Sequence, residues 1–265
     1  MAKVMAKAGV REERRGAALW LTIDREERRN ALNEGVLDAL RHGIEAAAAD
    51  PALRAVVLTG SGDKVFCAGG DLKPDAAGDP FRTDPAQLDN PVVRLLRAME
   101  ESPLPIVARV NGHATGGGFG LVCAADFAIA AETAKVGAPE ARLGVFPLMI
   151  LPAMLRLIPR RKLLELCMTG DLMLAAEALA CGIVGEVAPP AELDARVDAL
   201  VARLSAASPT AVRFGRRALA AVADLPYGAA LEYAQRLLPQ LARTEDAQEG
   251  FRAFNERRTP AWTGR

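Results

Sequence analysis

The chain of 265 residues is 51% hydrophobic and balances 33 Lys plus Arg against 33 Asp plus Glu, enough apolar material for a packed core and no net field favouring nucleic acid or an anionic membrane. No apolar run approaches the roughly 20 residues of a membrane span. Residues 1–16 mix Lys3, Lys7 and Arg11 with Glu12 and Glu13, unlike a secretory or transit signal.

Residues 17–23 read as a strand closed by the charged turn 24–29. Asn33 caps a predicted helix in which Val36, Leu37, Leu40 and Ile44 share a face, and Asp50-Pro51 ends it. A short buried strand over 55–59 runs into a glycine loop, Gly60-Ser61-Gly62-Asp63, and then Phe66-Cys67-Ala68-Gly69-Gly70-Asp71-Leu72. Residues 73–90, rich in Pro, Asp and Gly, read as a mobile surface loop. A helix over 91–101 and a strand over 105–110 lead to Asn111-Gly112-His113-Ala114-Thr115-Gly116-Gly117-Gly118-Phe119-Gly120, with a helical pattern from Leu121. A strand over 127–130 precedes Lys135-Val136-Gly137-Ala138-Pro139-Glu140 and an apolar, proline-broken stretch. From Ala175 helical patterns dominate, over 175–180, 191–204, 210–222, 226–243 and 244–258. The alternation of strands and helices predicts an α/β core. Cys67, Cys123, Cys167 and Cys181 form no C-x-x-C pair and read as reduced, mostly buried thiols of a cytoplasmic protein.

Two glycine loops, each following a buried strand, can each offer a bare backbone N–H to one oxygen. At a helix start such donors carry partial positive charge, which is how an oxyanion hole is built. A single glycine loop more often marks a tight turn. Other glycine-loop chemistries fit poorly: from Gly116 the sixth residue is Leu121, which breaks G-x-G-x-x-G, no Gly-Lys-Ser/Thr follows, and there is no G-x-S-x-G elbow.

Together the loops are specific. The chain resembles the crotonase superfamily, the enoyl-CoA hydratase/isomerase family, through Asn30-Ala31-Leu32-Asn33, Phe66 to Leu72, Asn111-Gly112-His113-Ala114 with Gly116-Gly117-Gly118, and Ala138-Pro139-Glu140 with Leu143-Gly144. Leu166 to Gly170, Ala176-Glu177-Ala178 with Gly182-Ile183-Val184, and the tail from Gly250 to Arg258 are also similar, so the likeness spans nearly the whole chain in order. The resemblance implies a crotonase-type (ClpP-like) α/β spiral of ββα units over 1–195 and a helical oligomerisation region over 196–265 that builds trimers or dimers of trimers. It implies an acyl-CoA substrate whose thioester oxygen sits on the N–H groups of Gly70 and Gly117. Ala68, Gly69, Gly70, Asp71, Leu72 and Lys73 would line the CoA channel, Arg29 and Leu32 would lie near the nucleotide end, and Phe254 and Arg257 would reach a CoA on a neighbouring subunit. No cofactor beyond the CoA of the substrate, and no metal, is implied.

Glu140 stands where the family places a carboxylate that handles protons near Cα. Family hydratases carry a second glutamate in the glycine helix, where this chain has Gly120. Hydration needs a base for water at Cβ as well as an acid for Cα, whereas moving one proton from Cα to Cγ, as Δ3,Δ2-enoyl-CoA isomerases do, needs one carboxylate. The isomerase half therefore fits better, with a thioester hydrolase or a non-catalytic acyl-CoA binder as alternatives. His113, His42, Asp71 and Asp126 read as structural. Bulky Phe146, Met149 and Ile150 suggest an apolar acyl pocket.

Overall fold

Residues 5–72 and 90–265 are described in a computed structural model of the chain. The strand read over 17–23 is β3 (Ala18–Ile23), and its alternation feeds two cores. Leu21 and Ile23 enter the larger one, Ala18 and Trp20 a smaller one on the opposite face. The parallel neighbour β4 (Ala55–Gly60) divides the same way, Val56 and Leu58 against Ala55 and Val57. Burial on both faces requires the continuous apolar run that marks this strand in the sequence. Between them lies α1 (Glu34–Ala49), which begins where Asn33 Oδ1 accepts the Val36 N–H at 2.9 Å and ends at Asp50. Its Val36, Leu37, Leu40 and Ile44 all point into the larger core.

From β4 the chain spirals. The first turn continues through β5 (Val65–Cys67) and α2 (Pro91–Glu101). The second runs β6 (Ile106–Val110), β7 (His113–Thr115) and α3 (Gly117–Ala124). The third runs β8 (Phe127–Ala131), β9 (Lys135–Gly137) and the tight helical turn Pro139–Leu143. In each turn the first strand joins a large sheet and the second a smaller one. The large sheet is ordered β1-β2-β3-β4-β6-β8-β11, opened by the antiparallel hairpin β1 (Met5–Lys7) and β2 (Val10–Arg15) and closed by β11 (Glu186–Ala188). The smaller is β10-β9-β7-β5, with β10 (Met173–Leu174) antiparallel at its edge. This is the spiral of ββα units expected from the sequence.

After the third turn come α4 (Leu151–Leu157), α5 (Arg160–Thr169) and α6 (Ala175–Ala180). Then α7 (Leu193–Ala206) covers the outer face of the large sheet, placing Leu193, Val197 and Val201 with Trp20, Val57 and Val107. The chain finishes with α8 (Pro209–Val222), α9 (Tyr227–Ala242) and α10 (Glu245–Glu256). Arg216 ties α8 to the core: its Nε donates to Asp126 at 2.9 Å and its Nη2 to the Met99 carbonyl at 2.5 Å. No residue of α9 is buried.

Three stretches of the chain differ most from the sequence reading. The hairpin of β1 and β2 lies where no element is predicted, because Val-Arg-Glu-Glu-Arg-Arg shows no apolar alternation. The proline-broken stretch contains α4 and α5. The third, α3, starts at Gly117 rather than Leu121, despite the low helix propensity of glycine. Packing requires those glycines: a Cβ on Gly118 would stand 2.3 Å from the Cys67 carbonyl oxygen, and one on Gly120 would stand 2.1 Å from Ile150 Cγ2. Of the stretch 73–90, residues 73–89 lie outside the described residues.

Candidate active site

The two glycine loops meet. After β5 the backbone turns at Gly69, whose φ of +88° is the left-handed region that glycine favours. A Cβ there would stand 3.0 Å from the Thr115 oxygen and 3.1 Å from the Gly117 nitrogen, so the close approach also requires the absence of a side chain. Leu32 fixes the next residue. Its N–H donates to the Gly69 carbonyl at 2.8 Å and its own carbonyl accepts the Asp71 N–H at 2.8 Å, bridging Leu32 to Gly70 in parallel. Because successive groups alternate sides in extended chain, the Gly70 N–H points away from Leu32. Gly117 is the first residue of α3, where helix geometry leaves an N–H without an internal acceptor at the positive end of the dipole. Among the described residues neither N–H has a hydrogen-bond partner.

Glu140 faces this junction. The Pro139–Leu143 turn sets it directly after β9, and Oε1 lies 3.1 Å from where a Gly116 Cβ would be. Oε2 is buried and, among the described residues, accepts no hydrogen bond. Desolvation therefore pushes the carboxyl above the ordinary carboxylate range, against a smaller downward pull from its own backbone N–H. Such a carboxyl changes protonation state more readily near neutral pH than an exposed one. Cys167 on α5 is near enough that the Glu140 charge adds to the desolvation raising its thiol. The Cys67 thiol, fully buried, is pushed up to about 12, and Cys123 is also raised by burial. These are unreactive thiols.

No second carboxylate accompanies Glu140 on α3. Position 120 is glycine, and the volume beside it is taken by Ile150, which is 4% exposed. Ile150, read from the sequence as acyl-pocket wall, is packed against α3.

The remaining candidates separate into groups. Asp71 accepts from Arg25 Nη2 at 2.9 Å and Arg28 Nη2 at 2.7 Å, tying the first glycine loop to the turn after β3. Arg29 is exposed at φ +52°, and its carbonyl accepts the Ala68 N–H at 3.1 Å. Leu32 Cδ1 approaches Gly117, Ala68 is half-buried and Leu72 is exposed. Lys73 lies outside the described residues. Phe254 and Arg257 are exposed at the end of α10, which packs on α8 and α9. His113 Nδ1 accepts the Lys135 N–H at 3.1 Å, His42 is exposed beside Arg41, and Asp126 accepts from the Ile106 N–H and Arg216; each is engaged structurally.

Two residues the sequence reading gave no role hold the loops in place. Buried Asn30, at φ +54°, accepts from the Arg25 N–H and Ser61 Oγ and donates to the Ser61 and Val65 carbonyls. Asn111 accepts from Thr59 Oγ1 and the Gly60 N–H and donates to the Gly62 and Val65 carbonyls. The one signal in the sequence is for Asn111, which directly precedes the second glycine loop, where a polar side chain can replace missing backbone pairing; Asn30 lies far along the chain from the loop it braces and carries no such signal.

A family model described as enoyl-CoA hydratase/isomerase matches residues 13–265. The carnitinyl-CoA dehydratase of Salmonella typhi is 35% identical over 262 residues, covering 95% of this chain and 97% of that protein. An enoyl-CoA hydratase structure from Mycobacterium smegmatis superposes with a TM-score of 0.90 at 32% identity, covering 96% of this chain and 98% of its own. One from Bacillus anthracis gives 0.87 at 30% identity, covering 97% and 100%. With its two-sheet spiral and paired glycine loops, the chain belongs to the enoyl-CoA hydratase/isomerase family of the crotonase superfamily.

Proposed function

We propose that the chain moves a proton at Cα of an acyl-CoA thioester through Glu140, with the enolate oxygen held by the N–H groups of Gly70 and Gly117. The reaction favoured is migration of a double bond, from a 3-enoyl-CoA to a 2-enoyl-CoA. The observation that carries this reading is that, among the described residues, a single carboxylate, raised by burial, is set against two unpartnered glycine amides, with the hydrocarbon of Ile150 beside position 120. Removing the Cα proton places charge on the thioester oxygen. Fixed N–H donors stabilise that charge, and one such donor is worth roughly 3–4 kcal/mol. The same carboxyl then returns the proton at Cγ. Arg29, Leu32, Ala68, Gly69 and Leu72 would contact the CoA, with Lys73 beyond them. Asp71 would hold the loop through Arg25 and Arg28.

Dehydration or hydration is the second reading, favoured by the 35% identity to a carnitinyl-CoA dehydratase. It would require Glu140 to serve Cα and Cβ alone. We also propose that copies of the chain associate, as trimers or dimers of trimers, over the unburied helix α9. Phe254 and Arg257 would then meet a neighbour's CoA.

A paired assay tests the reaction. One arm supplies a 3-enoyl-CoA, the other a 2-enoyl-CoA in water, each beside Glu140→Gln. Double-bond migration without hydration, lost in the variant, is the expected result. Robust hydration by the wild type would overturn the isomerase reading in favour of the second.

A further inference from the structure

α3 touches α4 through a glycine. A Cβ at position 120 would lie 2.1 Å from Ile150 Cγ2 and 2.7 Å from Ile150 Cβ. Neither atom is a flexible tip, since both belong to the branch of a side chain that is stiff at χ1. Ile150 is 4% exposed, and its backbone is fixed at the start of α4: its N–H donates to the Pro147 carbonyl at 3.3 Å and its carbonyl accepts the Met154 N–H at 3.1 Å. The residue cannot step aside without moving that helix. Gly120 is three residues from Gly117, so the two share a face of α3. A side chain at 120 would lean back toward the helix N-terminus, and so toward the glycine junction and Glu140.

We propose that Ile150 is a specificity-determining residue: it fills the one place on α3 from which a second acid–base group could act at Cβ, and so confines the site to proton transfer at Cα and Cγ. This rests on the reading of Glu140 and the two amides given above. Hydration of a 2-enoyl thioester consumes the C=C π bond, forms a C–O bond at Cβ from water and a C–H bond at Cα. One water proton leaves to a base beside Cβ while an acid delivers a proton at Cα, so one water is added and nothing is oxidised or reduced. Glu140 can serve Cα. The hydrocarbon of Ile150 can neither take the water proton nor hold the water.

The test compares wild type, Gly120→Glu, Ile150→Gly and the double variant. Hydration of a 2-enoyl-CoA is read as oxygen-18 incorporated at Cβ from labelled water, and Cα proton exchange is read in heavy water. Gly120→Glu alone, forced against Ile150, is expected to melt at lower temperature and to hydrate no faster than wild type. The double variant is expected to recover melting temperature relative to Gly120→Glu and to hydrate about 10²-fold faster than either single variant, a modest general-base contribution. A folded double variant that exchanges the Cα proton but hydrates no faster than the singles would overturn the proposal. So would hydration by Gly120→Glu with Ile150 in place. If the double variant does not fold, Gly120→Glu combined with Ile150→Ala or with Ile150→Val carries the test, because Val keeps Cγ2 and Ala removes it. With the glutamate at 120, the Ile150→Ala background is expected to hydrate several-fold faster than the Ile150→Val background, and equal rates would overturn the role of Ile150. Absence of Glu140-dependent Cα exchange in the wild type is a separate failure, of the underlying site reading, and takes the proposal with it.

Discussion

Glu140, the proton carrier of the proposed reaction, sits where a carboxylate destabilises the fold. Its buried Oε2, which accepts no hydrogen bond among the described residues, favours the neutral carboxyl in the folded chain, so between the ordinary carboxylate range and the raised folded value that state binds more protons than the unfolded chain. Stability conferred on this account falls as pH rises through that window. Glu140→Gln removes the titration. The variant is expected to be more stable than wild type at neutral pH, with the difference vanishing below about pH 4, the ordinary carboxylate range. Denaturant midpoints at the two pH values measure it. The same variant is expected to lose about 10²–10⁴-fold in turnover while still binding acyl-CoA. Gly69 is a second sensitive position. Gly69→Ala places a Cβ at φ +88° within 3.1 Å of the Gly117 nitrogen. It should cost about 1–2 kcal/mol in stability. By forcing the loops apart it should lower turnover about 10²-fold, nearly the loss of one oxyanion donor. Unfolding and steady-state kinetics on one preparation separate the two effects.

At the scale of elements, the site is a junction of two loops held by asparagine side chains rather than by sheet pairing. Asn30 bonds to four groups across the first loop from a left-handed backbone conformation. Asn30→Ala should therefore cost about 2–4 kcal/mol, from carbonyls left unpaired and from strain at positive φ. A drop in the denaturant midpoint of that size, with turnover falling in step, is the expected result. Elements with strong apolar patterns were legible: β3, α1, β4, α2 and β6 lie within a residue or so of their predicted bounds. The glycine helix was not, because its start is set by the fit of Gly118 on Cys67 and Gly120 on Ile150, contacts between segments far apart in the chain. The smaller sheet was also illegible, since strands such as His113–Thr115 and Met173–Leu174 are too short to show a period. The order of family motifs singles out the two glycine loops and Glu140 in the sequence, and the fold sets them side by side. Asn30 and Asn111 were visible as letters, but their role depends on which carbonyls the fold brings near them.

The whole molecule places Glu140 where the third turn of the spiral returns beside the first two, so three separate strand-to-loop transitions converge on one point. The same architecture leaves α9 with no buried residue and with Leu231 and Leu238 more than half exposed. Apolar area of that kind on a helix is commonly covered by another chain. Leu238→Glu is expected to shift the particle to a smaller species by sedimentation, with the far-ultraviolet spectrum retained. An unchanged sedimentation coefficient would place the subunit contact elsewhere. Among the described residues no helix is long and apolar enough to cross a membrane.

The central claim is that one carboxylate, Glu140, carries a proton from Cα to Cγ. Its most direct measurement is turnover of a 3-enoyl-CoA in heavy water, with isotope position in the 2-enoyl product read by NMR. Partial retention of the Cα protium at Cγ, absent with Glu140→Gln, is the predicted result for a half-buried carboxyl that hands on its own proton. Product carrying a hydroxyl at Cβ, or migration that persists in Glu140→Gln, would contradict the account.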